Sequence, residues 1–473
     1  MSLKKKILSN TIMQIFTRII SVLLGVVAFG VMARYLGQEG FGQFTTVMAF
    51  LNFFGIFADF GLSLVAIQLM SEKKYDPEKS FQNIFTFRLV MGIFFLGIAP
   101  LIALFFPYSL EIKIGIAITT TSILFSSLIQ MYTVIYQVHL KMLVPVLADI
   151  VGRVITIGGI LYGATFNKGF FFILIVISLN NLVQVLILHI WSGRHTRVRL
   201  ACDWQLWKDI LKRSWPIGAS IIFNIAYMKA DSLILSLTRS QAEVGMYGAA
   251  YNVVQVLMGL PFLFIGLTLG SYSTSWTQHD MPRFKKYVQK SFDFLVLVAT
   301  PLVVGTLFLA RPLMVMIAGP DFEQSGDILK ILILAVGAIF LSVLFGSIIN
   351  IINKQKTMLW GYIAGAIIGV GGYLITIPTY SYWGAAWMTV ISECSILLFA
   401  FLIFTKKTRI SLSLLFLGKA LCASLIMAVF LFLFKGYIIL TILLATGVYI
   451  GAIILFGGVS REDISLFFKQ KSL

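Results

Sequence analysis

The sequence predicts an all-α polytopic membrane protein of about fourteen transmembrane helices, with twelve as the fallback count. Three observations predict it. Of 473 residues, 59% are hydrophobic and 12% charged, where a soluble chain would carry about a quarter charged. Apolar runs of about twenty residues recur from end to end, each long enough to cross a hydrocarbon core of roughly 30 Å as a helix. Lysines and arginines also alternate from loop to loop in the register that such crossings require. A β-barrel would show shorter strands of alternating polarity.

The first run, 9–32, follows Lys4–Lys6. It reads as a retained helix rather than a cleaved leader, because the apolar part is long, is interrupted by Gln14 and Arg18, and meets no small-residue cleavage pattern. Runs 42–69, 82–106, 112–138, 143–164 and 169–192 complete a first six-helix lobe, 1–192. The longest loop follows, "GRHTRVRLACDWQLWKDILKR" (193–213). Its Trp204, Trp207 and Ile210, with Lys208 and Lys212, predict a short amphipathic helix in the cytoplasmic interface that links the lobes. A second lobe, 214–404, holds runs 214–237, 243–272, 288–310, 327–350, 357–378 and 382–404. The remainder, 405–473, holds 411–434, 436–457 and a tail. Only Lys435 and Gly436 divide that last pair, which is where the fallback count arises.

With the N-terminus in the cytoplasm, loops on that side collect 25 lysines and arginines. The opposite side collects six: Arg34, Lys113, Lys168, Arg239, Arg311 and Lys435. The asymmetry predicts both termini in the cytoplasm. It also turns the net charge of +18 into membrane-surface electrostatics, and no nucleic-acid-binding pattern accompanies it. Three scattered cysteines give no disulfide framework. Four histidines without HExxH or CxxC spacing give no metal site. No cofactor is expected.

A short repeat links the lobes. "EGFGQFTTV" (39–47) and "AEVGMYGAA" (242–250) align Gly42 with Gly245 and Phe44 with Tyr247. Both turns fall on the extracytoplasmic side, which predicts a parallel repeat about an axis along the membrane normal.

Six bases fall inside predicted spans: Arg18, Arg88, Arg153, Lys229, Lys330 and Lys419. The acids there are Asp59, Asp149, Asp231, Asp293 and Glu393. Intramembrane ions normally face a bundle interior or a watery cavity. Asn10, Gln14, Arg18, Ser21 and Gly25 make one helical stripe, Ser126, Gln130, Thr133 and Gln137 a second, and Ser220, Asn224, Tyr227 and Asp231 a third. Simpler readings stand beside the functional ones. Asp149 and Arg153 are spaced to neutralise each other within one helix. Arg88 lies close enough to the cytoplasmic end to snorkel. Lys330, Lys419 and Asp293 suit interfacial anchoring, and the polar stripes suit helix–helix contacts. Gly361, Gly365, Gly369 and Gly372 form a ridge suited to close packing. Arg18, Asp231 and Glu393 are deep and lack a partner within their own helices. The first lobe leans basic, which suits phosphate. The second leans acidic, which suits a small cation.

"ARYLGQEGFGQF" (33–44) and "ADFGLSLVA" (58–66) resemble the signature of bacterial polysaccharide-biosynthesis flippases. These are the Wzx-type members of the multidrug/oligosaccharidyl-lipid/polysaccharide (MOP) exporter superfamily. "KADSLILSLTRSQAEVGMYGAAYNVVQ" (229–255), "GPDFEQSGDILKILI" (319–333) and "IPTYSYWGAAWMTVISE" (377–393) extend the likeness. The resemblance implies two six-helix lobes around a central cavity, with two further C-terminal helices, in a bacterial cytoplasmic membrane. It implies transfer of undecaprenyl-diphosphate-linked oligosaccharide to the outer leaflet by alternating access, for O-antigen, capsule or exopolysaccharide synthesis. Membrane lipid and a polysaccharide polymerase or chain-length machinery are the implied partners.

On that reading the substrate cavity draws on Arg18, Gln14, Asp59, Arg88, Gln130, Arg153 and Lys229. A coupling cation, Na+ or H+, draws on Asp231, Asn224, Thr389 and Glu393; the resemblance to lipid II flippases carries Asp231 into that role. The alternative is a small-molecule cation antiporter of the same superfamily, which the basic first lobe disfavours. A membrane enzyme is a third reading. The short external loops, without a His/Asp/Ser constellation, disfavour it.

Overall fold

The computed structural model describes residues 3–72, 75–139, 141–193, 198–434 and 436–458; side chains at 3–19, 71, 216–217 and 219–228 are outside the described set. Among the described residues the regular elements are thirteen α-helices and one 3-10 turn. They are α1 (Leu3–Asp59), α2 (Leu62–Ser71), α3 (Pro77–Ala103), α4 (Leu110–Val138), α5 (Leu143–Thr165), α6 (Phe170–Ser192) and α7 (Trp204–Thr238). Then follow α8 (Gln241–Thr277), α9 (Met281–Ala318), α10 (Ser325–Ile351), α11 (Gln355–Thr408), α12 (Leu415–Leu433) and α13 (Ile438–Leu455). Eleven stretches among them are long and apolar enough to cross a membrane.

The predicted runs map onto these helices in order. α1 is broken at Gly37 (φ 65°, ψ −175°), so its two arms hold the first two runs, the second continuing into α2. No atom crowds Gly37, so its positive φ, not space, is what calls for glycine. α11 is broken likewise at Ser381 (φ 52°), and its arms hold the eleventh and twelfth runs. The paired run 411–434 and 436–457 is resolved into α12 and α13. Caps follow the local sequence: Asp76 accepts from Glu78 N–H ahead of Pro77, and Asp203 accepts from the N–H groups of Gln205 and Leu206.

The helix predicted within 193–213 is present but is not a separate element. It is the first part of α7, which runs unbroken from Trp204 to Thr238. Its Leu206 and Ile210 are buried in a core with Leu62, Val65, Leu69, Phe81, Ile84, Tyr132 and Tyr136, and Trp207 packs against that core. Capped by Asp203 and held by this apolar face, the segment has no reason to end at residue 213.

The chain divides into two compact units, Met1–Gly248 with Ile317–Asp321, and Ala249–Met316 with Phe322–Leu473. Among the described residues the first has two apolar cores. One is the core just described; the other joins Val47, Phe50, Leu51, Leu96, Ala99, Tyr108, Ile112 and Ile116, with Leu233 and Leu237 packed against it. Within the second unit the predicted glycine ridge is a packing surface. Gly361 lies against Phe399, Gly365 against Ile396 and Gly372 against Met388, so the two arms of α11 close tightly on each other.

The repeat turns meet inside the first unit. A Cβ at Gly42 would fall on the carbonyl of Gln241, and one at Gly245 would fall on the carbonyl of Gln38. Gly248 lies against Thr45, and Thr46 donates a 2.7 Å hydrogen bond to Gln241. Each glycine thus meets the residue four positions before the other, which is a local two-fold relation between 38–45 and 241–248.

Candidate functional site

Of the predicted site residues, Gln14, Arg18 and Asn224 have side chains outside the described residues. The others fall into three groups within the first unit and one pair within the second.

The first surrounds Arg88 on α3. α1 ends at Asp59, and Phe60 (φ 42°) and Gly61 (φ 75°) turn the chain into α2. That break puts Asp59 and Ser63 beside Arg88. The guanidinium pairs with Asp59 at 2.8 Å and donates to Ser63 (2.6 Å), Ser127 (2.7 Å) and Gln130 (3.1 Å). Arg88 is 1% exposed. The snorkelling alternative is therefore corrected: the charge stays inside because four partners from α1, α2 and α4 replace its water. An unpaired arginine near a bilayer centre costs about 2.5–3.5 kcal/mol on insertion scales, and this set removes much of that cost. With its donors committed, Arg88 holds Asp59 and Gln130 in place rather than offering itself to a ligand. Gln130 is exposed, and the Asp59 side chain is 25% exposed.

The second cluster joins α5 to α1. Arg153 Nε donates to Ser21 (2.7 Å) and to Asp149 (3.2 Å), while Ser21 donates to Asp149. The i,i+4 pair read from the sequence is present, with a serine of the α1 stripe added to it. Gly25, one turn on, leaves room for the Arg153 guanidinium; a Cβ there would lie 2.5 Å from Nη1. The Nη1 and Nη2 groups of Arg153 have no hydrogen-bond partner among the described residues, and the side chain is 32% exposed. Its free edge is the one that takes phosphate or carboxylate in two parallel hydrogen bonds.

Further polar contacts lie between helices of the first unit. Asn180 and Gln184 of α6 fill the space left by Gly152 of α5, and Asn181 of α6 donates to Ser122 of α4 at 2.8 Å. Of the predicted stripes, Ser21, Gln130 and Asp231 make contacts between helices, while Thr133 donates to the Ile129 carbonyl of its own helix.

The third group of the first unit centres on Asp231. Asp231 on α7 is 1% exposed and accepts a 2.6 Å hydrogen bond from the hydroxyl of Tyr247 on α8. Lys229, two residues earlier, is partly buried. In the second unit, Glu393 and Thr389 stand one turn apart on α11, both buried. Thr389 donates to the Ala385 carbonyl (2.9 Å) and shares a 3.0 Å hydrogen bond with Tyr373 on the other arm. Among the described residues no group of three or more His, Cys, Asp or Glu side chains is placed to hold a metal ion.

Tyr247, Tyr373, Ser63 and Ser127 were not singled out from the sequence. Each acts across a helix boundary, where periodicity along one helix carries no signal. Only Tyr247 stood near one, in the repeat turn.

The fold is shared with solved transporters. Lipid II flippase MurJ in an inward closed conformation matches with a TM-score of 0.77 and 18% identity, over 94% of this chain and 98% of that one. An inward-facing multidrug resistance MATE family transporter of the MOP superfamily matches at 0.67 and 14%, over 82% and 94%. A MOP superfamily transporter from Pyrococcus furiosus, described as having a binding pocket of reverse polarity, matches at 0.57 and 14%, over 86% and 96%. At such identities the likeness is one of fold. No curated protein sequence matches the chain. A family model described as "Polysaccharide biosynthesis protein" matches residues 31–327. With more than half its length matched, this multi-pass membrane chain belongs to the polysaccharide biosynthesis protein family.

Proposed function

We propose that this protein is a flippase that carries undecaprenyl-diphosphate-linked oligosaccharide from the cytoplasmic to the outer leaflet of a bacterial cytoplasmic membrane. The glycan would serve O-antigen, capsule or exopolysaccharide synthesis, and a polysaccharide polymerase would receive it. The observation that carries this reading is the pairing of a polysaccharide-biosynthesis family with a fold that a lipid II flippase shares over nearly the whole chain.

The geometry supplies a chemical route. A charged, sugared head need not cross hydrocarbon if a wet, basic cleft receives it while the polyprenyl tail stays in lipid. Arg153, with its Nη edge open, suits the diphosphate. Arg18 lies one turn from Ser21 on the stripe that Arg153 contacts, and joins it in the proposal. Asp59, Gln130 and Lys229 complete the polar lining, with Arg88 positioning the first two. Asp231, Asn224, Thr389 and Glu393 are the proposed handles for a coupling Na+ or H+. The two lobes, 1–192 and 214–404, would exchange inward and outward access, with no cofactor required.

The test is a deletion strain scored for build-up of lipid-linked glycan in the inner leaflet, complemented with variants. Arg153→Ala and Arg18→Ala should fail to relieve the build-up, and Arg18→Lys should relieve it in part. Full complementation by both alanine variants removes the diphosphate-binding role. Transport that ignores the cation gradient, unchanged by Asp231→Asn, removes the coupling role. Cation antiport of small molecules is the second reading, favoured by the MATE likeness. It predicts drug sensitivity in the deletion strain with no glycan build-up.

A further inference from the structure

The first part of α7 has two faces with different fates. Leu206, Trp207 and Ile210 point into the first unit, with Trp207 edge-on to Phe87 at 5.1 Å. Trp204, Lys208, Leu211, Lys212 and Trp215 point out of it, and all five are exposed. At 100° per residue these five fall within a stripe about 100° wide. Trp204 and Trp215, 65% and 64% exposed, bracket it, and Lys208 lies over the Trp204 ring at 5.9 Å.

Polar contacts fix the height of this segment. Ala201 N–H donates to Thr86 (2.9 Å), Asp203 N–H donates to Asn83 (2.7 Å), and Lys79 pairs with Asp203 at 2.6 Å. At the other end Arg213 pairs with Glu72 at 2.6 Å, and the Tyr75 hydroxyl donates to Asp209. The partners Glu72, Tyr75, Lys79, Asn83 and Thr86 all belong to the end of α2, the start of α3 and the turn between them. Charge asymmetry places that turn at the cytoplasmic membrane surface. The segment is therefore clamped across the ends of α2 and α3 that loop charge assigns to the cytoplasmic headgroup level.

We propose that the Trp204–Lys208–Leu211–Lys212–Trp215 stripe is a docking surface for anionic phospholipid of the cytoplasmic leaflet. Charge complementarity selects this occupant. Two lysines without an acid in the stripe attract negative headgroups, and two tryptophans with a leucine between them suit the boundary between headgroup and acyl chain. Asp209, the nearest acid, lies outside the stripe and accepts from Tyr75. A soluble protein partner would more often find a mixed polar rim than a row of tryptophan and lysine.

The test uses the full chain in phosphatidylcholine nanodiscs that contain either brominated phosphatidylglycerol or brominated phosphatidylcholine at equal mole fraction. Tryptophan fluorescence should be quenched more strongly by the anionic lipid. The preference, read from the quenching ratio, should fall about fivefold for each lysine removed in Lys208→Gln and Lys208→Gln/Lys212→Gln. Trp204→Phe/Trp215→Phe should abolish the excess, which separates this stripe from other tryptophans. Equal quenching by the two lipids overturns the proposal, as does an excess that survives either double variant. Quenching by aqueous acrylamide but by neither lipid also overturns it, and points to a soluble partner. None of these readouts depends on transport.

Discussion

At Arg88 the guanidinium is enclosed and its bonds go to Asp59, Ser63, Ser127 and Gln130; at Arg153 the Nε edge is held and the Nη groups have no hydrogen-bond partner among the described residues. The two arginines therefore predict different phenotypes. Arg88→Ala removes the buried partner of the quarter-exposed Asp59 carboxylate and leaves Ser63 and Ser127 without their donor; it should cost about 3 kcal/mol, seen as a lowered melting temperature in detergent. Arg153→Ala, part-exposed, should cost less than about 1 kcal/mol yet lose transport. A melting curve and a complementation assay on both variants check the contrast. Tyr247→Phe removes the hydroxyl that Asp231 accepts from, and should alter the cation dependence of transport while expression stays near wild type. Sequence placed these ionic groups inside the membrane from hydropathy and helical spacing alone. It could not assign their surroundings, because the partners of Arg88 lie 25 to 42 residues away in sequence, or at the far side of a helix break.

Among the elements, α7 shows where sequence patterning was sufficient and where it was not. Its amphipathic start and its apolar remainder were both legible as separate signals. That they form one helix follows from the Asp203 cap and the burial of Leu206 and Ile210, which are tertiary facts. The cap also gives a pH prediction. The hydrogen bond from Lys79, then the N–H of Leu206, hold the Asp203 carboxyl below the usual carboxylate range. A depressed folded-state value means the stabilisation is complete above the unfolded value near 4 and is lost as pH falls through the folded one. Amide protection over 201–207, taken relative to the intrinsic exchange rate at each pH, should therefore be high at neutral pH and fall below about pH 4, with Asp203→Asn low throughout. The turn pair behaves differently again. Gly42→Ala and Gly245→Ala each push a Cβ into a facing carbonyl, and each should cost about 1–3 kcal/mol by overpacking. Because they strain one contact, the double variant should cost less than the two together, which melting temperatures of the three proteins will show.

For the molecule as a whole, charge asymmetry between loops fixes an expected orientation. Cys202 is exposed beside the start of α7, so in a Cys394→Ala/Cys422→Ala background a membrane-impermeant maleimide should label it in inverted vesicles and not in intact cells. Labelling from outside would reverse the topology. The helix count and order were legible because apolar length and loop charge report the same crossings twice over. The two-unit division cuts within α8, within α9 and within the 3-10 turn Pro320–Phe322, and no composition shift marks any of the three points. The reciprocal meeting of Gly42 with Gln241 and Gly245 with Gln38 bears on ancestry. Contacts in which each side presents the same patch are what two copies of one subunit make across a dyad. A half-length precursor inserted twice in the same sense would make such a contact across its dyad, and fusing the copies would leave that seam unchanged while freeing the remainder to diverge.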